Sequence, residues 1–176
     1  MVMAKCAMAL LSVLALAAAP TWQDTLKKDI TLLGHRNWIC VVDSAYPAQT
    51  SPGIKMIDTR ADHVEVLKTV LAAMKKVPHV RPMIYMDQEL KFIPDSDAPG
   101  ISALRRSLDT VLKGRPNISV MPHENIIAKL EEAGKSFQVL MLKTTCVKPY
   151  TSVFMELNCG YWTDAAEKRL RAKMGG

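Results

Sequence analysis

The sequence has few cysteines and lacks the cysteine patterns that metal sites and disulfide frameworks require. Four cysteines occur among 176 residues, and one of them, Cys6, lies in the N-terminal apolar segment. The other three, Cys40, Cys146 and Cys159, form no C-x-x-C or Cys/His spacing, so we predict no metal site. Cys40 lies inside an apolar run and is predicted to be a core residue. The sequence leaves open whether Cys146 and Cys159 pair.

Apolar runs long enough to span a bilayer, which takes about 20 residues, are also missing. The N-terminal run, Ala7 to Leu16, follows Lys5 and leads into the small residues Ala17, Ala18 and Ala19. This order predicts a cleavable signal peptide over residues 1–19, with a membrane anchor as the alternative. We therefore expect an exported protein, periplasmic or secreted, without stable membrane insertion after cleavage.

Positive charge is present but not concentrated. The formal net charge is +6, while aromatic residues make up 6% of the chain. The densest basic group contains Arg105, Arg106, Lys113 and Arg115, and no aromatic side chains interleave with it as a nucleic-acid platform requires. A solvated helix face is the simpler interpretation, and we predict no nucleic-acid partner.

Residues 20–176 show strand and helix patterns in alternation, with no internal repeat. Strands are predicted at Trp38–Val42, Ile54–Ile57, Val80–Met86, Asn117–Met121, Phe137–Leu142 and Val153–Leu157. Helices are predicted at Asp24–Leu33, from Asp62, from Ile101 to near Gly114, from Pro122 to Ala133 with Gly134 as its stop, and from Asp164 onward. The alternation predicts one three-layer α/β/α domain with a mixed, largely parallel sheet and a helical C-terminal extension at about 163–176.

Polar residues flank several predicted strands, and ligands in open α/β sheets bind beyond the carboxyl ends of strands. His35 precedes the first strand, Asp43 follows it, and His123 follows the fourth. Tyr150 and Ser152 precede the last strand. Each residue alone is explained equally well as a cap or a structural hydrogen-bonding group.

These residues belong to four motifs that occur in a familiar order. The motifs are Gly34-His35 with Asp43 eight residues after the His, Ser44-Ala45-Tyr46-Pro47, Met121-Pro122-His123-Glu124, and Lys148-Pro149-Tyr150-Thr151-Ser152 before an apolar strand. Together they resemble the ribose pyranase and fucose mutarotase (RbsD/FucU) family, over about 24–58 and 121–160. Ser152 stands where that family has Asn, and Thr144-Thr145-Cys146 stands in place of its T-G-E segment.

The resemblance implies a sugar-binding domain over residues 20–176 and a reaction without a cofactor. That reaction opens and recloses the ring of a free monosaccharide and so interconverts its anomers, or its pyranose and furanose forms. By the resemblance His35 is the general acid, and Asp43 orients His35 or a sugar hydroxyl. His123 and Tyr150 hold hydroxyls or share in proton transfer, and Ser152 is a substrate-binding residue whose contact is weaker than that of Asn or passes through water. It also implies a ring-shaped homo-oligomer with sites near the subunit contacts.

Two other functions remain open. A noncatalytic monosaccharide-binding or sensing protein would keep the pocket without the chemistry, and the missing Asn and Glu of the family motifs favour it. A structural or interaction module is favoured by the basic tail, Lys168 to Lys173.

The remaining polar and aromatic residues give weaker signals. His63 and His79 are predicted at the surface. An acidic cluster after the third strand is interpreted as a solvated loop, with a cation site as the alternative; it comprises Asp87, Glu89, Asp95 and Asp97. Four aromatic residues have side chains suited to stacking on a sugar, although Trp38 is expected in the core; they are Trp22, Trp38, Tyr161 and Trp162.

Overall fold

The computed structural model describes residues 19–175, so the predicted signal segment lies, residue 19 apart, outside the described residues. The strands are β1 (Trp38–Val42), β2 (Ile54–Asp58), β3 (Val80–Asp87), β4 (Ile118–Met121), β5 (Val139–Lys143) and β6 (Val153–Cys159). The helices are α1 (Trp22–Asp29), α2 (His63–Met74), α3 (Ile101–Leu112), α4 (His123–Ser136) and α5 (Asp164–Lys173), and a 3₁₀ helix covers Gln88–Phe92. Within residues 19–175, every helix is too short or too polar to cross a bilayer.

The six strands form one mixed sheet in the order β2-β5-β1-β6-β3-β4. The pairs β2·β5, β1·β5 and β3·β4 are parallel, whereas β6 runs antiparallel to both β1 and β3. The predicted mixed, largely parallel sheet is therefore confirmed. Because β6 is reversed, its start lies at the edge of the sheet where β1 and β3 end.

Two apolar cores, one on each face of the sheet, confirm the three-layer architecture. All five residues of β1 are buried, as a central strand requires. Ile39 and Val41 face the core formed with α1, α2 and α3. Cys40 and Val42 face the second core, which α4 covers with Ile126 and Leu130. The side chains of β1 thus alternate between two helical layers, which fixes Asp43 just beyond the end of the strand.

Local signals account for the starts of two helices. Thr21 caps α1 in a reciprocal pair with Asp24. The Asp62 carboxylate caps α2 by accepting hydrogen bonds from the backbone N–H groups of Val64 and Glu65, at 2.9 and 3.1 Å. Helix α1 ends at Asp29 rather than at Leu33, and a turn leads on towards Gly34.

Gly134 does not end α4, so that prediction is wrong. The helix continues to Ser136, and Pro122 is its N-cap rather than part of its first turn. Close packing explains the glycine at position 53, where a Cβ atom would lie 2.6 Å from the Gly134 carbonyl oxygen. A Cβ atom on Gly134 would itself lie 3.1 Å from the side chain of Ile54. Glycines at both positions let α4 approach the start of β2.

The cysteines and the basic group also have structural explanations. Cys40 is buried as predicted, and in the described part of the chain Cys40, Cys146 and Cys159 are all free thiols. Arg105 differs from a solvated residue, because its guanidinium donates hydrogen bonds to the carbonyl groups of Leu90 and Ile93, both at 2.8 Å. It therefore fastens α3 to the segment that follows β3.

Candidate functional site

A cavity of about 520 Å³ opens at the carboxyl end of β1, beside the N-terminus of α4. Residues of the predicted motifs line it, among them Asp43, Tyr46, His123, Glu124 and Tyr150, together with Gln49 and Glu131. We call it the Asp43 cavity. Its size is in the usual range for a small-molecule site, and its lining combines carboxylates, an imidazole, an amide and phenols.

His123 is held by two acidic residues from the end of β3 and the 3₁₀ helix after it. Its Nδ1 atom lies 3.1 Å from Oδ1 of Asp87. Its backbone N–H donates to both carboxylate oxygens of Glu89, each at 3.1 Å. Two negative charges beside the N-terminus of α4 are favoured by the helix dipole. Since the Asp87 carboxylate accepts a hydrogen bond from Nδ1–H, Nε2 is the nitrogen of His123 that is available to a ligand.

The prediction that Asp87 belongs to a solvated acidic loop is wrong, because Asp87 is buried at the end of β3. Its side chain is fully buried, which raises its pKa to about 6, while the hydrogen bond from His123 opposes the rise. Its second oxygen, Oδ2, has no hydrogen-bond partner among the described residues. A signal was present in the sequence, because Asp87 closes a buried apolar strand just as Asp43 does.

Tyr150 packs against His123 in a strained backbone conformation. The two rings meet edge to face, with their centroids 5.4 Å apart and an angle of 87° between their planes. Tyr150 has φ of +55°, a region that non-glycine residues rarely occupy. Such a residue persists when its surroundings fix it. Here the next residue, Thr151, is buried, its hydroxyl donates to the carbonyl oxygen of Lys148, and its own carbonyl oxygen is bonded by His63.

His63 provides that fixation, and the prediction that it lies at the surface is wrong. It is the first residue of α2 and is 1% exposed. Its Nε2 atom lies 2.8 Å from the carbonyl oxygen of Thr151 and its Nδ1 atom 3.0 Å from the hydroxyl of Thr144. Burial lowers the pKa of His63, and the charges of Asp43 and Asp62 partly oppose this shift. A neutral imidazole therefore joins Thr144 and Thr151, which lie near the two ends of the segment 144–152 between β5 and β6, here called the Tyr150 loop.

Asp43 is positioned by Ser152. The Ser152 hydroxyl donates to Oδ2 of Asp43 at 3.2 Å, and the backbone N–H of Ala45 donates to Oδ1 at 2.9 Å. Ser152 is 2% exposed and does not line the Asp43 cavity, so its contact with the site passes through Asp43.

Three buried polar atoms around the cavity lack a partner in the described part of the chain. Two of them, the Tyr46 hydroxyl and Oε1 of Gln49, belong to residues that line the cavity, and the third, Oδ2 of Asp87, lies on the carboxylate behind His123. Burial also raises the pKa of Tyr46, so its hydroxyl keeps its proton and can donate. Unpartnered groups of this kind cost free energy until a ligand or water bonds them. A ligand with several hydroxyl groups matches such a set of donors and acceptors.

His35 lies apart from these residues, at the other end of β1. It is exposed and lines a second cavity, of about 580 Å³, which we call the Trp162 cavity. Arg36, Asn158, Tyr161, Trp162 and Arg171 are among the other residues that line it. A five-residue strand spans about 16 Å, so one monosaccharide does not reach both His35 and Asp43 of the same chain.

Within residues 19–175, no group of three or more His, Cys, Asp or Glu side chains is arranged so that it could hold a metal ion. In the acidic cluster, Asp95 instead accepts hydrogen bonds at the start of α3, from the Gly100 backbone at 3.0 Å and from the Ser102 hydroxyl. Of the other three acids, Asp87 and Glu89 accept hydrogen bonds from His123, and Asp97 accepts one from the Ser96 hydroxyl at 3.0 Å.

The fold and the cavity define a class: a small α/β domain with a polar ligand cavity at the carboxyl ends of its strands. The ribose-bound RbsD of Bacillus subtilis has a similar fold, with a TM-score of 0.55 over 84% of this chain and 100% of that chain, at 14% identity. This similarity confirms the fold that the motifs predict. No protein-family model and no curated protein matches the sequence.

Two further solved structures are similar at lower scores. The fucose mutarotase of Streptococcus pneumoniae with L-fucose has a TM-score of 0.47 and 18% identity, over 73% of this chain and 87% of that one. FucU of Bifidobacterium longum has a TM-score of 0.48 and 16% identity, over 75% of this chain and 91% of that one.

Proposed function

We propose that this protein interconverts the anomers, or the pyranose and furanose forms, of a free monosaccharide by acid-base ring opening without a cofactor. The observation that carries the proposal is His123, which lines the Asp43 cavity together with Asp43 and Tyr150 and is bonded through Nδ1 to the buried Asp87. The fold similarity to a ribose-bound protein supports a sugar as the ligand.

In the proposed reaction, Nε2 of His123 takes the proton of the anomeric hydroxyl. The bond between the anomeric carbon and the ring oxygen then breaks, a carbonyl group forms, and the ring oxygen receives a proton from an acid. Asp87 stabilises the imidazolium through Nδ1, while Asp43 and Tyr150 hold hydroxyls of the sugar. Reclosure on the opposite face of the carbonyl returns both protons and gives the other anomer.

We assign the acid to His35 of a second copy of the chain. His35 and Asp43 lie at opposite ends of β1, so a site that uses both requires two subunits. This arrangement agrees with the ring-shaped homo-oligomer that we predict from the resemblance. Acid-base help of this kind gives about 10²- to 10⁴-fold in rate, which suffices for a reaction that water already supports.

A noncatalytic sugar-binding or sensing protein is the second candidate, and one contact favours it. The Ser152 hydroxyl, at the position of the family's Asn, donates its hydrogen bond to Asp43 and therefore does not donate to a ligand. Such a protein would bind sugars in the Asp43 cavity without accelerating exchange.

Magnetisation-transfer NMR of exchange between sugar anomers separates the two candidates. A panel with D-ribose and L-fucose is measured with the full protein and with His123→Ala, and His79→Ala serves as a matched control because His79 lies outside both cavities. We expect acceleration by the protein and the control, with a loss of about 100-fold for His123→Ala. Binding without acceleration would establish the second candidate.

Mixing two inactive variants tests the shared site. His35→Ala and His123→Ala are each expected to be inactive, but mixed oligomers contain contacts where an intact His35 faces an intact His123. Recovery of exchange on mixing supports a site built from two subunits. Two inactive variants that stay inactive after subunit exchange contradict it.

We also propose export of the protein, with residues 1–19 as the signal peptide. Expression of the full chain followed by sequencing of the mature N-terminus tests this proposal. Cleavage near Ala17 or Ala19 is expected, and an intact N-terminus on protein retained inside the cell argues against it.

A further inference from the structure

Exposed aromatic side chains are scarce on this protein, yet two adjoining ones lie after β6. Tyr161 is 80% exposed and Trp162 is 43% exposed, and both line the Trp162 cavity. The same cavity is lined by the imidazole of His35, the amide of Asn158 and the guanidinium of Arg171. Two flat apolar surfaces are thus combined with side chains that donate and accept hydrogen bonds.

The indole ring of Trp162 is oriented by its own neighbours. Its Nε1 atom donates to Oε2 of Glu167 at 2.8 Å, and Nε of Arg171 donates to Oε1 of the same carboxylate at 2.7 Å. Glu167 therefore bridges the ring and the guanidinium. With its only polar atom bonded, the indole offers its apolar ring surface to a ligand.

The segment that carries these rings is fastened to the sheet. Arg81 donates to the carbonyl oxygen of Cys159 at 3.1 Å and pairs with Asp164 at 2.8 Å. The backbone N–H of Gly160 donates to the carbonyl oxygen of His79 at 2.9 Å. A Cβ atom at Gly160 would lie 2.2 Å from the carbonyl oxygen of Pro78, so only glycine allows this close approach. The segment that carries Tyr161 and Trp162 is therefore held in place against the sheet.

We propose that the Trp162 cavity binds the ring of a pyranose sugar, with the C–H face of the sugar stacked on Trp162 and its hydroxyls bonded by His35, Asn158 and Arg171. A pyranose has an apolar face and a rim of hydroxyl groups, which is the combination that this cavity matches. The inference goes beyond the proposed function, because stacking on Trp162 requires no ring opening. Where His35 of one copy completes the Asp43 cavity of another, Trp162 becomes an additional wall of the shared site and selects for pyranose rings.

Indole N–H signals in NMR spectra of the full protein test the proposal directly. The chain has three tryptophans, so the Trp162 signal is identified by its absence from the Trp162→Phe spectrum. L-fucose, D-galactose and D-glucose are the probes. Sorbitol is the control ligand, because it carries hydroxyl groups without a ring. We expect the pyranoses to shift the Trp162 signal in a saturable manner and sorbitol to leave it unchanged.

Ligand-observed NMR then compares the affinities of variants. Trp162→Ala is expected to weaken pyranose binding about tenfold, whereas Trp162→Phe keeps most of it because an aromatic face remains. Phe92→Ala is the matched control, since Phe92 is 68% exposed and lines neither cavity. An affinity that Trp162→Ala leaves unchanged would overturn the proposal.

Other outcomes separate this inference from the proposed function. A Trp162 shift that persists in His123→Ala, together with loss of anomer exchange, supports both. A saturable shift without any exchange by the unsubstituted protein removes the proposed function and keeps the inference. A signal that responds to protein concentration but not to sugar identifies the cavity as a contact between copies and overturns the inference.

Discussion

Nδ1 of His123 lies 3.1 Å from Oδ1 of Asp87, and the carboxyl group of Asp87 has no exposed surface. The pair combines a base that faces a cavity with a buried carboxylate that fixes its orientation. Because burial raises the pKa of Asp87 to about 6, this carboxylate takes up a proton within the pH range of ordinary assays. Protonation removes the charge that stabilises an imidazolium at His123. The geometry therefore makes the rate of the proposed reaction depend on pH.

We predict that anomer exchange slows as the pH falls through about 6, the pKa of Asp87. Asp87→Asn keeps the shape and one oxygen acceptor but removes the charge. We expect it to lower the rate about 100-fold near neutral pH and to abolish the part of the pH profile due to Asp87. The measurement is magnetisation-transfer NMR across a pH series.

The same substitution should have the opposite effect on stability. A raised pKa means that the folded state disfavours the charged form, and this cost is fully present above about pH 6. Asp87→Asn removes it, so we expect a melting temperature a few degrees above that of the unsubstituted protein near neutral pH and a smaller difference near pH 4. A variant that is both slower and less stable at neutral pH would assign Asp87 a structural role.

Ser152→Ala tests whether Ser152 positions Asp43. The substitution removes a buried hydroxyl that donates to Asp43 at 3.2 Å. We expect a loss of about 1 kcal/mol in the free energy of unfolding, together with a several-fold slower exchange of sugar anomers. Urea unfolding and the NMR exchange assay measure the two effects. Ser119→Ala, on the exposed strand β4, is the control and should change neither.

The order of the elements was predictable because the fold follows from local patterns. Five consecutive apolar residues identify β1, and the structure gives it the predicted bounds, Trp38–Val42. The position of Asp43 at the carboxyl end of that strand followed from the same run. Asp62 likewise marks the start of α2, since a capping carboxylate acts within its own first turn.

The pairing of side chains within the site was not predictable from these patterns. Asp87 and His123 are 36 positions apart in sequence, and His63 and Thr144 are 81 positions apart. Such pairs exist only once the sheet order brings β3, β5 and the helix starts together. A histidine at a helix start has the same sequence signal whether it is exposed or, as His63 is, buried. Gly134 was misinterpreted for a related reason, because the side chain that a Cβ atom there would crowd, Ile54, is brought close only by the fold.

Gly53→Ala should destabilise the protein strongly. The new Cβ atom would lie 2.3 Å from the carbonyl oxygen of Phe137 and 2.6 Å from that of Gly134, and backbone atoms cannot rotate away. We expect a loss of more than about 2 kcal/mol in the free energy of unfolding, measured with urea. Gly34→Ala is the matched control, because a Cβ atom there meets no described atom within 4 Å, and its effect should be small. Equal stability of the two variants would show that α4 moves away from β2 at little cost.

His63 is predicted to make the stability of the fold sensitive to acid. Burial lowers its pKa, so the unfolded chain binds a proton at a higher pH than the folded one does. The free energy of unfolding should therefore fall as the pH drops below about 6.5, the ordinary pKa of histidine, towards the lower value of the folded state. His63→Gln should remove this dependence and cost about 1–3 kcal/mol at a pH where His63 is neutral, because one of its two hydrogen bonds is lost.

Urea unfolding of the unsubstituted protein and of His63→Gln over a pH series measures the difference in their free energies of unfolding. Asp87 is present in both proteins, so its opposite contribution cancels from that difference. His79→Gln is the control variant, because the His79 ring bonds a single group among residues 19–175, the carbonyl group of Leu33 at 3.0 Å. The loss of the His63 bond to Thr151 should also free the Tyr150 loop, so anomer exchange is expected to slow in His63→Gln at every pH. If the stability of this variant depends on pH as before, His63 is not the group that causes the acid sensitivity. If its exchange rate is unchanged, the bond from His63 to Thr151 is not needed to position Tyr150.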